Sequence, residues 1–121
     1  MVMDITELKQ FLVESNKPHA EGTAKVTTEE DKSHTIVFAK GDWKMHDNFF
    51  GGEPYGGRQV IFLKNVPVCM CVYYGAVHDT SLAPDKVYDF LREALQHPVP
   101  DQPFRGPEIY KKGSLEYKNK R

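Results

Sequence analysis

Histidine and aspartate stand side by side at His46-Asp47, and Glu53, Tyr55 and Arg58 follow within the same stretch of chain. Histidine titrates near neutrality and a carboxylate can orient it, so this set invites an acid–base reading with His46 or Glu53 as the proton carrier. Consecutive residues of a strand point to opposite faces, however. His46 and Asp47 then cannot form one dyad, and each would need partners from another strand. No catalytic residue is assigned on this basis. The same region reads more readily as a binding site. Trp43, Tyr55, Tyr73 and Tyr74 would be its aromatic walls and His46, Glu53 and Arg58 its polar groups. The glycine pairs Gly51-Gly52 and Gly56-Gly57 would leave backbone bare for a ligand. The plainer alternative is a wide hairpin loop in which the glycines supply positive φ and Tyr55 packs over the sheet.

Other chemistry finds less support. Cys69 and Cys71 are one residue apart in an apolar run. On a strand they share a face with poor geometry for a relaxed disulfide, so they are expected as reduced thiols, with burial opposing a nucleophilic role. The five histidines, His19, His34, His46, His78 and His97, show no paired metal-ligand spacing, and no metal or cofactor is expected. There is no G-x-S-x-G elbow, P-loop or H-E-x-x-H. Lys111, Lys112, Lys118, Lys120 and Arg121 interleave with Tyr110 and Tyr117, a mixture that can bind single-stranded nucleic acid. A solvated final strand with a frayed end accounts for it more simply.

The whole chain narrows the field further. Its 121 residues fit one domain, and 16 basic against 17 acidic residues give a net charge of −1, with no global field for nucleic acid or an anionic membrane. The uncharged stretch Val66 to Val77 is far shorter than the roughly 20 apolar residues of a membrane helix. The N-terminus lacks a basic segment followed by an apolar core. A cytoplasmic protein without a membrane partner is expected.

The elements that would position these residues follow from periodicity. Ile5, Leu8, Phe11 and Leu12 recur at helical spacing behind Asp4 or Thr6 as cap, predicting a helix over about 4–17 that ends near Pro18. His19 to Ser33 is polar, with room for a short edge strand. A β-meander follows over about 34–77: Thr35–Ala39, Trp43–Phe49, Arg58–Leu63 and Val68–Gly75. Phe49 to Gly57 is its central turn, and Val68–Gly75, the most apolar strand, is expected to be central and covered on both faces. Thr80 or Ser81 begins a second helix over about 82–97, with Pro84 in its first turn and an apolar stripe at Val87, Phe90, Leu91, Ala94 and Leu95. Prolines at 98, 100, 103 and 107 punctuate the chain before an extended segment and strand over about 104–121. A faint echo links Gly41–Asp47 with Gly113–Asn119, the second copy ending after one strand. That strand would leave an open edge, which suggests pairing in a homodimer. The fold class is α+β: an antiparallel meander of four or five strands packed against two helices.

Gly41-Asp42-Trp43, Asp47-Asn48-Phe49-Phe50-Gly51-Gly52, Tyr55-Gly56-Gly57-Arg58-Gln59-Val60, Pro67-Val68 and Tyr73-Tyr74-Gly75 together resemble a bacterial domain family of unknown function, found alone or C-terminal to helix-turn-helix (XRE-type) repressor modules. The likeness runs from Phe11 to Arg105-Gly106-Pro107. Cys69 and Val72 stand where the family pattern has tryptophan and asparagine. No helix-turn-helix segment precedes Ile5, so DNA binding by that route is not expected. The resemblance implies the fold and almost no mechanism. The expected function is therefore a non-enzymatic ligand- or protein-binding, regulatory module, its partner a small molecule or a protein. The alternatives are a small enzyme using His46 or Glu53, and an assembly module pairing through its C-terminal strand.

Overall fold

The computed structural model describes residues 3–79, 81–99 and 101–120; Met1, Val2, Thr80, Pro100 and Arg121, several of them named above, lie outside the described residues. The chain is α+β. Its elements in order are α1 (Ile5–Ala20), β1 (Thr27–Thr28), β2 (His34–Lys40), β3 (Trp43–Phe50), β4 (Tyr55–Leu63), β5 (Val66–Gly75), α2 (Pro84–Leu95), β6 (Ile109–Lys112) and β7 (Leu115–Lys118). They group into two compact units, one of residues 24–80 and one of residues 1–23 with 81–121.

The first unit is an antiparallel five-stranded meander in the order β1-β2-β3-β4-β5. Its reversals are dictated by residues that tolerate positive φ: Gly41 at φ 61° between β2 and β3, and Lys64-Asn65 at 50° and 67° between β4 and β5. The expected central turn is shorter than the stretch from Phe49 to Gly57. Phe49 pairs with Gly57 and Phe50 with Gly56, so the strands run on through both and only residues 51–54 form the loop. Gly57 makes this possible, because a Cβ there would lie 2.5 Å from the Asn48 carbonyl oxygen and 2.6 Å from Phe49 Cβ. Ile36, Met45, Asp47 and Ile61 share one face and are all buried, which defines the inner face of the sheet.

A second correction concerns β5. The expectation of a central, doubly covered strand fails: β5 is the last strand of the sheet, and Met70, Val72 and Tyr74 are 71%, 84% and 75% exposed. A continuous apolar run suits a strand with both faces covered, but position in the sheet depends on whether another strand pairs outside it. The chain's next strands, β6 and β7, form a separate two-stranded sheet instead.

In the second unit Asp4 caps α1 by accepting a hydrogen bond from the Thr6 amide at 2.9 Å, and Leu8, Phe11, Leu12 and Ser15 are buried along one side. The helix passes its expected end and includes Pro18. Proline there removes a single late helical bond, while its carbonyl accepts the Thr23 amide at 2.8 Å. α2 begins with Pro84 in its first turn, as expected, and closes at Leu95. The terminal strand β7, expected to end unpaired, forms a hairpin with β6 in the register Tyr110↔Tyr117. Gly113, at φ 61°, turns that hairpin just as Gly41 turns β2–β3. The echo between the two segments is thus a shared turn geometry.

Candidate functional site

Strand alternation and register divide the expected binding residues between two faces of the sheet. Trp43, Tyr55 and Tyr73 fall on the inner face with Asp47 and Ile61, whereas His46, Arg58 and Tyr74 fall on the outer face with Val37, Met70 and Val72. Glu53 sits in the loop between β3 and β4. The seven residues therefore do not converge on one cavity.

On the inner face, the buried Asp47 carboxylate accepts a hydrogen bond from the Tyr73 hydroxyl at 2.5 Å, reaching from β3 to β5 across β4. Tyr73 stands in the row Phe49–Gly57–Tyr73, where β4 has no side chain, and its phenol reaches diagonally across that gap to Asp47, which lies in the neighbouring row opposite Gln59. Tyr55 closes the cluster, its ring 6.2 Å from that of Tyr73 and lying over Gly75, where a Cβ would come within 2.3 Å of it. This is a satisfied polar contact in a buried setting, and it braces three strands. Burial pushes the Cys69 thiol above its ordinary range, with the neighbouring Cys71 adding to the rise, and both cysteines are free. This opposes a nucleophilic role for Cys69, whereas Cys71 is exposed and not the buried thiol that an apolar run suggests, because β5 lies at the sheet edge.

Glu53 has a specific task. Both of its carboxylate oxygens accept from the Val77 amide at 2.9 Å, tying the β3–β4 loop to the chain that leaves β5. His46 lies in the outer-face row Val37–His46–Val60–Met70, with Nδ1 buried and without a hydrogen-bond partner. His46 and Asp47 are on opposite faces and form no dyad.

What the outer face offers is apolar surface on an unpaired edge. Met70, Val72 and Tyr74 alternate outward from β5, and Arg58 stands beside Val72 on β4, itself exposed. Among the described residues no strand pairs with the outer side of β5. Tyr74 and Arg58 were expected at the site; Met70 and Val72 were not. The signal that could have found them is the alternation inside the uncharged run, read as a strand with one face open instead of none.

In the other unit, a shallow open groove is lined by Phe90, Glu93, Lys112 and Leu115 and is bridged by a Lys112–Glu93 ion pair at 2.8 Å. The Tyr110 ring lies 5.8 Å from Phe90 and stacks on His97 at 4.9 Å, anchoring the β6–β7 hairpin to α2. Of the expected basic tail, Lys111 pairs with Glu116 at 3.2 Å, Lys118 with Glu116 at 3.1 Å and Lys112 with Glu93. Three lysines of the tail are thus engaged with two carboxylates. Among the described residues, no group of three or more His, Cys, Asp or Glu side chains could hold a metal ion, and no helix is long and apolar enough to cross a membrane.

Residues 47–121 match a family described as a domain of unknown function, DUF5680. No curated protein and no solved structure matches the chain.

Proposed function

The chain belongs to the DUF5680 family, a domain of unknown function, and we propose that it is a non-enzymatic binding module that takes an extended, uncharged protein segment onto the outer edge of β5. One observation carries this reading: Met70, Val72 and Tyr74, each more than two-thirds exposed, alternate along a ten-residue strand that pairs with β4 on one side and, among the described residues, with no strand on the other. Soluble proteins usually blunt such an edge with charge, bulges or cover, and β5 carries no charged residue. An added strand would satisfy the free backbone groups, while the alternating side chains select its sequence. From the residues expected at the site, Tyr74 and Arg58 belong to this surface. Trp43, Tyr55 and Tyr73 support it from the inner face.

An enzyme working through His46 or Glu53 draws less support, since Glu53 is engaged with the Val77 amide and His46 faces away from Asp47. The unbridged cysteines fit a cytoplasmic setting. The likeness to bacterial domains that accompany XRE-type repressor modules fits a partner-binding task.

A displayed library of ten-residue peptides, panned against the protein and its Val72→Lys variant, tests the reading. Enrichment of uncharged peptides with alternating apolar residues, lost on Val72→Lys, is the expected result. Equal enrichment on both proteins, or none on either from a protein whose β5 edge is free in a monomer, would overturn it.

A further inference from the structure

The occupant of the β5 edge can be named from the chemistry of the edge itself. Resting on the binding role proposed above, we infer that the segment β5 accepts is the β5 of a second copy of this chain, paired antiparallel about a two-fold axis at Val72.

Consider first which strand of this molecule could serve. The sheet has two edges, and the other one, β1, is only two residues long and both are threonine. It offers too few backbone groups to match a ten-residue strand, and the part of β2 that β1 leaves uncovered, Ile36 to Lys40, is half as long as β5 and ends in a charge, so the edge that best matches β5 is another β5. An isologous contact of this kind closes as a dimer and does not propagate into a fibre.

The register follows from the regular part of the strand. The pairing of β4 with β5 is irregular between Ile61 and Phe62, which leaves Cys69 to Gly75 as the uninterrupted stretch, with Val72 at its centre. Residues directly opposite in an antiparallel pair share a face, so a two-fold at Val72 sets Val72 against its own copy and Met70 against Tyr74. These are the three most exposed apolar residues of the strand. A thioether against an aromatic ring is a favourable contact, made twice by the symmetry. On the other face Cys71 comes opposite Tyr73.

Charge at the ends agrees with the antiparallel direction. The uncharged run is bounded by Lys64 on one side, while Asp79 is the first charged residue beyond the other. Antiparallel pairing carries each Lys64 toward the partner's Asp79; parallel pairing would set like charges together. Arg58, one strand in from Val72, lies to the side of the axis.

Sedimentation of the full chain and of Val72→Lys tests this, since Val72 is exposed and a lysine there puts two like charges at the axis; it also stands opposite Arg58 within the protomer, so circular dichroism and a thermal melt of the variant check that the fold is kept. The expected result is a dimer of the 13.9 kDa chain that becomes at least tenfold weaker in Val72→Lys, with unchanged circular dichroism. A second measurement fixes the register. In a Cys69→Ser, Cys71→Ser background, Val72→Cys should cross-link to itself under mild oxidant, whereas Met70→Cys should not. A chain that stays monomeric at several hundred micromolar, a dimer indifferent to Val72→Lys, or cross-linking by Met70→Cys alone would overturn the inference. Peptide capture at the edge by a monomeric protein would sink self-pairing while leaving the binding role standing; absence of both would sink the two together.

Discussion

The Tyr73 hydroxyl and the Asp47 carboxylate meet at 2.5 Å across the intervening strand β4, where Gly57 in the register of Tyr73 leaves the way open. Asp47 is 8% exposed, so its charge leans on such donors. Tyr73→Phe keeps the ring and removes the donor. We expect a loss of about 1–3 kcal/mol in folding stability, the range for depriving a buried acceptor of its partner. Urea unfolding reads it directly, and an unchanged midpoint would mean that Asp47 is satisfied without Tyr73.

The glycines of β4 and β5 predict a ranking. At Gly57 an added Cβ collides with backbone, the Asn48 carbonyl and Phe49 Cα, whereas at Gly75 it collides with the outer end of the Tyr55 ring. Backbone in the middle of a hairpin cannot step aside, but a ring can rotate away. Gly57→Ala should therefore cost about 1–3 kcal/mol or more, and Gly75→Ala distinctly less. Thermal melts of the two variants decide the order. Equal losses would show the Tyr55 ring to be as fixed as the backbone.

These contacts also show what could be read before the fold was known. Strand alternation and turn chemistry were legible: Gly41 and Asn65 favour the positive φ they adopt at the reversals, and His46 and Asp47 face opposite ways. The position of β5 was not. An apolar strand with both faces covered and an apolar edge strand have the same composition, and the difference lies in whether anything pairs outside it. The expected site suffered from a related cause. Its residues were gathered by closeness to the glycine turn along the chain, and a period of two then distributed His46, Arg58 and Tyr74 to one face and Trp43, Tyr55 and Tyr73 to the other. The Tyr73–Asp47 contact depends on register across three strands, which spacing along one strand does not encode.

Glu53 holds the Val77 amide through both oxygens, and this should be visible as slowed exchange. The carboxylate is exposed, so global stability should change little on its removal. Glu53→Ala should speed hydrogen exchange at Val77 by about tenfold, the equivalent of one modest hydrogen bond, with Glu53→Gln falling between because it keeps one acceptor. Exchange at Val60, within the sheet, serves as the internal control. A Val77 amide that exchanges at the same rate in all three proteins would remove the clamp.

The β1–β2 reversal contains a carboxylate with a defined acid response. Asp31 Oδ1 accepts from the Ser33 hydroxyl at 2.5 Å and from the Ser33 amide at 2.9 Å, and Ser33 Oγ accepts in turn from Asn48 Nδ2 at 3.0 Å on β3. The Ser33 side chain, then its amide, hold the Asp31 carboxyl below the usual aspartate range, against a smaller opposing effect of desolvation. A depressed folded pKa contributes stability that is present above the unfolded pKa and is lost as pH falls through the folded value. The contribution should therefore be full at neutral pH and vanish only in acid below the ordinary range of aspartate. Carboxyl-detected NMR titration should find Asp31 titrating low in the native chain. In Ser33→Ala it should move upward, because the hydroxyl is the largest cause of the shift, while the amide keeps it from returning fully to the unperturbed value. If Asp31 titrates alike in both proteins, the hydroxyl does not hold it, and Ser33 serves Asn48 alone.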